Sequence, residues 1–427
     1  MSPAPRYVST RGQSPAVPFA TALLDGLAPD GGLYVPDHVP ALPADWRDAP
    51  TLPALASRVL TPWLGDWLAP DTLGALVDDA LSFPIPLVSL EGPWEGVRVL
   101  ELFHGPTLSF KDVGARTMAR LTAAALGDET LTVLVATSGD TGSAVADGFA
   151  GQPGVRVVLL YPNGQVSPVQ ERQLIVERPG VQALAVEGTF DDCQRLVKAA
   201  FAEPPQDGVR LSSANSISVG RLLPQMLYYP WALAQSGLED AVFCVPSGNL
   251  GNLTAGVLAN LAGLPVRRFV AAHNRNRFFP RNLSGRVEPF PPSVSTLSNA
   301  MDVGAPSNFE RLQILLPGPA LAERVWGTSV DDAATLGTMR AVHDATGYVA
   351  DPHTAVGLEG IRRYREHTGD PTPAIVLSTA HPAKFPEAVQ EALGVTPPTP
   401  DALAALEGRP TRVETIAPTL DALRRFL

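Results

Sequence analysis

Short apolar runs rich in valine and leucine alternate with segments of helical periodicity from about residue 96 onward. This alternation constrains the fold most, because continuous apolar strands are typical of parallel sheets whose faces are covered by helices. We therefore predict an α/β fold of βα units around buried, mainly parallel sheets. The predicted strands span residues 131–137, 155–161, 182–186, 241–245, 267–272 and 374–377.

Periodicity and proline content predict the helices and loops. Residues 191–202 and 220–235 carry helical periodicity. The proline-rich stretches 288–292 and 394–400 are predicted loops.

The chain length predicts several domains. At 427 residues the chain exceeds what a single hydrophobic core usually allows, so two or three domains are expected. Residues 1–95, rich in proline, tryptophan and short helical patterns, are interpreted as an N-terminal extension packed on the catalytic body. Two α/β domains are expected to follow, at 96–225 and 226–427, with approximate and interleaved boundaries.

Composition is typical of a well-packed enzyme. Hydrophobic residues make up 45% and charged residues 18%, which argues against a disordered chain. A net charge of −11 argues against broad nucleic-acid binding, which needs a basic face, but allows one small basic pocket for a phosphorylated metabolite. No apolar leader or membrane-spanning run is visible, so a soluble cytoplasmic protein without nucleic-acid or membrane partners is expected.

The two cysteines, Cys193 and Cys244, lie far apart and lack the spacing of metal ligands. Neither a disulfide framework nor a metal site is predicted from them. Both are expected to be buried as small hydrophobic residues.

Lys111 is the residue around which the chemistry is expected to be organised. It lies between Phe110 and the apolar run 113–115, which draws its stem into the protein, where lysine is rarely found without a reason. A partly desolvated amine loses its proton more easily and can form a Schiff base with a carbonyl cofactor. The alternative for this stretch alone is a surface lysine that opens a helix.

Two turns between a strand and a helix are predicted anion sites. The first contains Ser138 and Thr141, and the second contains Gly248 and Gly251, whose lack of side chains lets the backbone approach a bound group. In each turn, backbone N–H groups at a positive helix end suit a carboxylate or a phosphate. A helix cap at Ser138 or Thr141 and a plain turn in the second segment are the alternatives.

Two further polar stretches are candidates for ligand binding. Asn215, Ser216 and Arg221 precede or open a helix, and an arginine can grip a phosphate with two parallel hydrogen bonds. A solvated arginine on a helix face is the alternative. Thr379 follows the last predicted strand, where ligands of open α/β sheets usually bind, so its hydroxyl is placed to face a ring nitrogen unless it only caps a helix.

Together these stretches resemble the threonine synthase family of pyridoxal-phosphate enzymes, which has the tryptophan-synthase-β (type II) fold. The specific signature combines His-Gly-Pro-Thr-Leu-Ser-Phe-Lys-Asp at 104–112 with Thr-Ala-His-Pro-Ala-Lys-Phe at 379–385. The longer, bacterial and fungal branch of the family, with its N-terminal extension, is the more similar. The resemblance covers residues 30–36, 102–114, 138–142, 159–170, 213–221, 246–256, 297–303 and 379–385.

The resemblance implies that the cofactor is pyridoxal 5′-phosphate, bound to Lys111 as a Schiff base, with its ring nitrogen facing Thr379. It assigns the cofactor phosphate to the second turn, through Gly248, Asn249, Leu250, Gly251 and Asn252. The family often has phenylalanine at the position of Leu250, where the contact is through the backbone. Related type II enzymes have asparagine at the position of Asp140, so a contact from Asp140 to the 3′-oxygen of the cofactor is left open.

The activity implied is that of a carbon–oxygen lyase, converting O-phospho-L-homoserine and water to L-threonine and phosphate, the last step of threonine biosynthesis. Ser138 and Thr141 would bind the substrate carboxylate. Asn215, Ser216 and Arg221 would bind its phosphate, with Arg116 or Lys384 as alternative cations. A monomer or weak homo-oligomer without a regulatory domain for S-adenosylmethionine is expected.

Two alternative functions remain at this point. The same fold could support a dehydratase or phospho-lyase that releases 2-oxobutyrate. A cofactor-free binding protein that keeps only the scaffold is the other alternative.

Overall fold

Two β-sheets form the centre of the protein, and the predicted strands lie in them. The computed structural model describes residues 3–203 and 209–427. All six predicted strands are confirmed, and no end differs from the prediction by more than one residue. The strands are β1 (Tyr7–Ser9), β2 (Tyr34–Pro36), β3 (Leu87–Ser89), β4 (Val97–Glu101), β5 (Leu131–Ala136), β6 (Val155–Pro162), β7 (Val181–Val186), β8 (Leu211–Ser212), β9 (Ala241–Pro246), β10 (Val266–His273), β11 (Val325–Ser329), β12 (Ala374–Ser378) and β13 (Val413–Ile416).

The predicted parallel architecture is confirmed in both large sheets. One sheet has the strand order β11-β10-β9-β12-β4-β3, in which only the edge strand β3 is antiparallel to its neighbour. The other has the order β13-β7-β6-β5-β8 and is parallel throughout. The central strands β5, β9 and β12 are buried along their whole length, which explains why they appear in the sequence as continuous apolar runs.

Helices cover the sheets and connect successive strands. They are α1 (Phe19–Asp25), α2 (Leu52–Leu64), α3 (Pro70–Ala80), α4 (Lys111–Leu126), α5 (Asp140–Phe149), α6 (Pro168–Ile175), α7 (Phe190–Ala202), α8 (Val219–Leu222), α9 (Tyr228–Ser236), α10 (Gly251–Leu261), α11 (Phe278–Leu283), α12 (Phe309–Leu315), α13 (Ala320–Arg324), α14 (Asp332–Thr346), α15 (Pro352–Thr368), α16 (Pro386–Leu393), α17 (Asp401–Ala404) and α18 (Leu420–Arg424). Short 3₁₀ turns lie at Trp46–Asp48, Gly65–Trp67, Gly92–Trp94, Leu223–Met226, Asn299–Met301 and Pro382–Lys384.

One predicted helix is interrupted. The segment 220–235 is not continuous, because α8 ends at Leu222, a 3₁₀ turn follows, and α9 begins at Tyr228. Pro224 lies in that turn and has no N–H to donate, which disfavours a continuous α-helix. The helix predicted at 191–202 and the two proline-rich loops are confirmed.

The N-terminal segment packs on the body of the protein. Strands β1 and β2 form a separate antiparallel pair, and the buried faces of α1 and α2 share one hydrophobic core with α4. The hydroxyl of Thr10 also donates a 2.9 Å hydrogen bond to Glu310 of α12. The segment therefore contacts elements from both halves of the chain.

Both cysteines are buried and unpaired, as predicted. Within residues 3–203 and 209–427, no helix is both long enough and apolar enough to cross a membrane. The same residues contain no group of three or more metal-ligating side chains.

The six-stranded sheet determines where the loops meet. Strands β9 and β12 are parallel neighbours, with Val376 opposite Cys244, so the segments that follow them leave the same sheet edge side by side. Gly248 follows β9 and Thr379 follows β12. The carboxyl edge of this sheet is therefore where the predicted site residues are expected to meet.

Candidate active site

Lys111 is the first residue of α4, and its side chain is only 13% exposed. Its Nζ lies 5.1 Å from the centre of the Phe110 ring and 3.5 Å from Asp140 Oδ2. Burial lowers the pKa of the amine; Asp140 opposes this effect, while the positive charges of Lys384 and Arg221 add to it. The alternative of a solvated surface lysine is therefore wrong.

The segment that carries Lys111 is bonded directly to the segment that follows β12. The amide of Phe110 donates a 2.9 Å hydrogen bond to the carbonyl of Thr379, and the amide of His381 donates one of 3.1 Å to the carbonyl of Leu108. Thr379 is 6% exposed. The amine-bearing segment and the predicted ring-nitrogen contact thus lie side by side.

The first predicted anion turn joins β5 to α5. Thr137 caps it, because its hydroxyl accepts hydrogen bonds from the amides of Gly139 and Gly142 at 3.0 and 2.8 Å. Ser138 is exposed and Thr141 is partly exposed, and the N-cap of α5 receives no side-chain hydrogen bond from either. The alternative that Ser138 or Thr141 serves as the helix cap is therefore wrong, and both hydroxyls stay accessible to a ligand.

The second anion turn joins β9 to α10. Leu250, the N-cap residue, has a φ of 63°, a left-handed conformation that a leucine rarely adopts. A Cβ at Gly248 would lie 2.8 Å from Met301 Cα, so a glycine is required there by packing as well. The first amides of α10 have no preceding helical turn to bond, which leaves them for an anion.

Asn252 provides an independent indication that this turn binds a ligand. Its side chain is 6% exposed, and its Oδ1 accepts a 2.7 Å hydrogen bond from the hydroxyl of Tyr229. Its Nδ2 is buried and has no partner among the described residues. A buried donor without an acceptor is costly, and an anion held by the first turn of α10 would supply one.

The loop containing Asn215 and Ser216 is attached to both anion turns. The Asn249 side chain donates to the hydroxyl of Ser216, and Asn215 Nδ2 donates a 2.9 Å hydrogen bond to the carbonyl of Ala136, at the end of β5. These bonds bring two of the three predicted substrate-phosphate residues next to the two anion turns.

Arg221 is buried and not solvated, so the alternative of an arginine on an exposed helix face is wrong. Its side chain is 3% exposed; Nη1 donates a 2.7 Å hydrogen bond to the carbonyl of Ala214, and Nε has no partner among the described residues. Burial lowers its pKa to about 10, opposed by Asp112 and Tyr228. The guanidinium therefore retains its charge and has donor capacity left.

The alternative cations are engaged elsewhere. Arg116 donates to the carbonyls of Asp79 and Ala80, both at 2.9 Å, in the N-terminal segment. Lys384 is 0% exposed and lies 2.7 Å from Asp140 Oδ1. Both side chains are thus held by protein acceptors, whereas Arg221 has a buried Nε without a partner among the described residues.

Three supporting residues of the site were not predicted from the sequence. Asn308 donates to the carbonyls of Asn249 and Ser216 at 3.1 and 3.2 Å, and the buried Arg311 donates to Asn308 Oδ1 at 2.7 Å. Gln170 donates to Asp140 Oδ1 at 3.0 Å. The available signal was Arg311 beside the apolar Phe309 and Leu312 of α12, because an arginine is rarely buried without polar partners.

Comparison with known proteins identifies the family. The sequence model described as "Pyridoxal-phosphate dependent enzyme" matches residues 83–379, "Threonine synthase N terminus" matches 6–81, and "Threonine synthase, C-terminal" matches 354–427. The threonine synthase of Serratia marcescens is 41% identical over 420 residues, which is 96% of each chain. The chain belongs to the threonine synthase family of pyridoxal-phosphate-dependent enzymes.

Solved structures agree with this assignment to the threonine synthase family. The structure of threonine synthase from Brucella melitensis, described as PLP-bound, has a TM-score of 0.92 at 36% identity and covers 99% of this chain and 98% of that one. Threonine synthase from yeast has a TM-score of 0.88 at 31% identity, with coverage of 99% and 97%. The predicted fold class, with mainly parallel sheets and an N-terminal domain, is confirmed, and so is pyridoxal phosphate as the cofactor of the family.

Proposed function

We propose that the chain converts O-phospho-L-homoserine and water to L-threonine and phosphate, as a carbon–oxygen lyase acting on a phosphate ester. The observation that carries this proposal is the buried, polarised setting of Lys111, which is bonded through Phe110 to Thr379 and lies 3.5 Å from Asp140. Membership of the threonine synthase family supports it. The two phosphate groups involved, one on the cofactor and one on the substrate, correspond to two separate groups of donors.

The residues present fit pyridoxal phosphate. The buried amine of Lys111 would bind its aldehyde carbon, and the hydroxyl of Thr379 would face its ring nitrogen. Its phosphate would be held by the amide-rich turn 248–252 and by the unpartnered Nδ2 of Asn252. When bound, the cofactor supplies a conjugated ring that accepts the electrons left when a bond to the substrate α-carbon breaks.

The chain's own contribution to the chemistry is proton transfer by Lys111. Because its pKa is lowered by burial, the amine is neutral over a wider pH range than an exposed lysine and can take a proton from the substrate. Its position at the start of α4 is fixed by the hydrogen bond of Phe110 to the carbonyl of Thr379, which keeps the amine beside the segment that would contact the ring nitrogen. The neutral hydroxyl at Thr379, unlike a carboxylate, leaves the ring nitrogen without a permanent counter-charge.

Two groups of donors orient the substrate. The exposed hydroxyl of Ser138 and that of Thr141, with the first amides of α5, would bind the carboxylate. Asn215, Ser216 and Arg221 would bind the phosphate, the leaving group of the reaction. The buried Arg221 provides the positive charge that favours departure of the phosphate.

Spectroscopy and product analysis test the proposal. The purified protein should absorb in the visible range, release inorganic phosphate from O-phospho-L-homoserine and form threonine. Lys111→Ala should lose the visible band and the phosphate release, whereas Lys198→Ala, which changes an exposed lysine, should retain both. A visible band that survives in Lys111→Ala, or formation of 2-oxobutyrate without threonine, would contradict the proposal.

A further inference from the structure

Lysine is used sparingly in this chain. The sequence contains three lysines, Lys111, Lys198 and Lys384, and the rest of its 32 lysine and arginine residues are arginines. Lys198 is exposed. The other two are buried side by side on one carboxylate, that of Asp140. Both lysines that are not exposed to solvent therefore lie in this one cluster around Asp140.

The two oxygens of Asp140 are shared unequally between the two amines. Lys384 Nζ lies 2.7 Å from Oδ1, whereas Lys111 Nζ lies 3.5 Å from Oδ2. Gln170 Nε2 also donates to Oδ1, at 3.0 Å. The Asp140 side chain is 3% exposed and that of Lys384 is 0% exposed, so the attraction between them is little screened by water. Lys384 is thus the principal counter-ion of the carboxylate.

The ion pair of Asp140 and Lys384 links segments that follow strands of different sheets, and it lies beside Lys111. Asp140 is the first residue of α5, which follows β5 of the five-stranded sheet, and Lys384 follows β12 of the six-stranded sheet. Lys384 Nζ also donates a 2.9 Å hydrogen bond to the carbonyl of Thr107, in the segment that leads to Lys111. The same ammonium therefore holds the carboxylate and the lysine-bearing segment.

The electrostatic effect of the pair on Lys111 follows from the charges that face it. Asp140 alone would raise the pKa of Lys111 and keep it as an ammonium, which is neither a nucleophile nor a base. Lys384 and Arg221, on two other elements, act in the opposite direction. Asp112, on α4 itself, is buried and bonded to Thr107, and it faces Arg221. The negative charges near the amine are thus each matched by a nearby cation.

We propose that Asp140 and Lys384 act together as positioning residues for Lys111: the carboxylate orients the amine through their 3.5 Å ion pair, and Lys384 cancels the charge that would otherwise hold the amine protonated. This inference rests on the proposed role of Lys111 as the cofactor-binding amine. It explains why a carboxylate is compatible with a reactive lysine 3.5 Å away. A structural ion pair that only joins the two sheets would stabilise the fold without affecting the protonation of Lys111.

Amine labelling distinguishes these two roles without relying on activity. The full-length protein, freed of cofactor, is treated with trinitrobenzenesulfonate over a range of pH, and the labelled peptides of Lys111 and Lys198 are quantified by mass spectrometry. Lys384→Met should move the labelling midpoint of Lys111 to higher pH by about one unit, so that labelling below the midpoint is about tenfold slower. Asp140→Asn should move it to lower pH. The double variant should return it toward the wild-type position, because the two charges are removed together.

The controls separate the possible failures. Lys384→Arg keeps the charge and should leave the Lys111 midpoint near that of the wild type, and the rate at Lys198 should be the same in all variants. If the midpoint of Lys111 is unchanged in Lys384→Met while the thermal unfolding temperature falls, the pair is only structural and the inference is wrong. If Lys384→Met does not fold, the Asp140→Asn variant provides the test. An unchanged labelling midpoint of Lys111 in that variant overturns the inference.

Failure of the proposed function gives a different result. If Lys111 does not bind the cofactor, the visible band persists in Lys111→Ala whatever the labelling shows. In the holoenzyme, the positioning role of Asp140 and Lys384 also predicts that the pH midpoint of the visible band differs between the wild type and Lys384→Met. An identical midpoint would contradict that role.

Discussion

The amide of Phe110 donates a 2.9 Å hydrogen bond to the carbonyl of Thr379. Together with the 3.1 Å bond from the amide of His381 to the carbonyl of Leu108, it forms an isolated antiparallel bridge between Ser109 and Ala380, which joins the segment before Lys111 to the segment after β12. The amine of Lys111 and the hydroxyl of Thr379 are therefore fixed relative to each other by backbone bonds. A ligand that contacts both is held by one rigid unit.

Gly248→Ala is expected to reduce cofactor affinity. The new Cβ would lie 2.8 Å from Met301 Cα and 3.1 Å from the Ala300 carbonyl, both backbone atoms, so the turn must shift away from its present position. The amides at the start of α10 would shift with it. Titration of the cofactor-free protein with pyridoxal phosphate measures the effect.

Gly337→Ala is the matched control for that substitution. Gly337 lies within α14 and a Cβ there meets no atom within 4 Å, so alanine should leave cofactor affinity unchanged and stabilise the helix by about 0.5–1 kcal/mol. Equal cofactor affinity in Gly248→Ala and the wild type would show that the turn is not part of the cofactor site.

Asn252→Ala should separate cofactor affinity from stability. Its buried Nδ2 has no partner among the described residues, and loss of a hydrogen bond to a charged group should weaken cofactor binding about tenfold or more. Tyr229→Phe removes only the hydroxyl that donates to Asn252 Oδ1, so it should lower the free energy of unfolding and change cofactor affinity much less. A larger loss of cofactor affinity in Tyr229→Phe than in Asn252→Ala would show that the cofactor phosphate binds elsewhere.

Arg221→Gln should raise the KM for O-phospho-L-homoserine. A charged hydrogen bond to a phosphate contributes about 1.5–3 kcal/mol, which corresponds to at least a tenfold change, while cofactor affinity should change little. Arg116→Gln is the control, because Arg116 is bonded to the N-terminal segment and its loss should reduce stability without raising KM. Steady-state kinetics with a separate cofactor titration would decide, and an unchanged KM in Arg221→Gln would rule out this arginine.

The stability of Asp140→Asn should depend on pH in a defined direction. Burial alone would raise the pKa of Asp140, but Lys384 and Lys111 outweigh it and hold the pKa well below its ordinary value of 3.8. A carboxyl with such a depressed folded-state pKa stabilises the fold above pH 3.8 and loses this contribution as the pH falls further. The variant should therefore be less stable than the wild type by about 3 kcal/mol at pH 7, with the difference narrowing below about pH 4.

Denaturant unfolding at a series of pH values measures this difference. Asp78→Asn, which changes an exposed residue of α3, is the control and should follow the wild-type curve. A difference between Asp140→Asn and the wild type that stays constant down to the acid limit of stability would contradict the assigned direction.

The sequence predicted the strands and the turns that follow them, because both depend on local patterns. Continuous apolar runs revealed β5, β6, β9 and β12, and glycines or hydroxyls after these runs placed the turns at the carboxyl ends of the strands. Shorter strands such as β8, with two residues, carry too little pattern to be detected. The proposed domain boundaries, the oligomeric state and the cytoplasmic location stay predictions.

The contacts that define the electrostatics of the site were not predictable in the same way. Lys384 and Asp140 are far apart in the sequence, and neither has neighbours that reveal an ion pair. The left-handed φ of Leu250 was not predictable either, because leucine is not a residue that signals this conformation. Arg221 was predicted as a ligand residue, but its burial depends on close packing against Gly114, on α4.

Strand β12 lies between β9 and β4, and so the centre of the six-stranded sheet is completed by a strand that follows β9 by more than 100 residues in the chain. Until residues 374–378 have emerged from the ribosome, β4 and β9 each expose an unpaired edge. The two halves of the sheet therefore stay incomplete until β12 inserts between them. Such pairing between strands far apart in the chain favours slow folding and assistance by chaperones. Without residues 374–381, the sheet would be divided at its middle and the segment before Lys111 would lose its backbone bonds to Thr379 and His381.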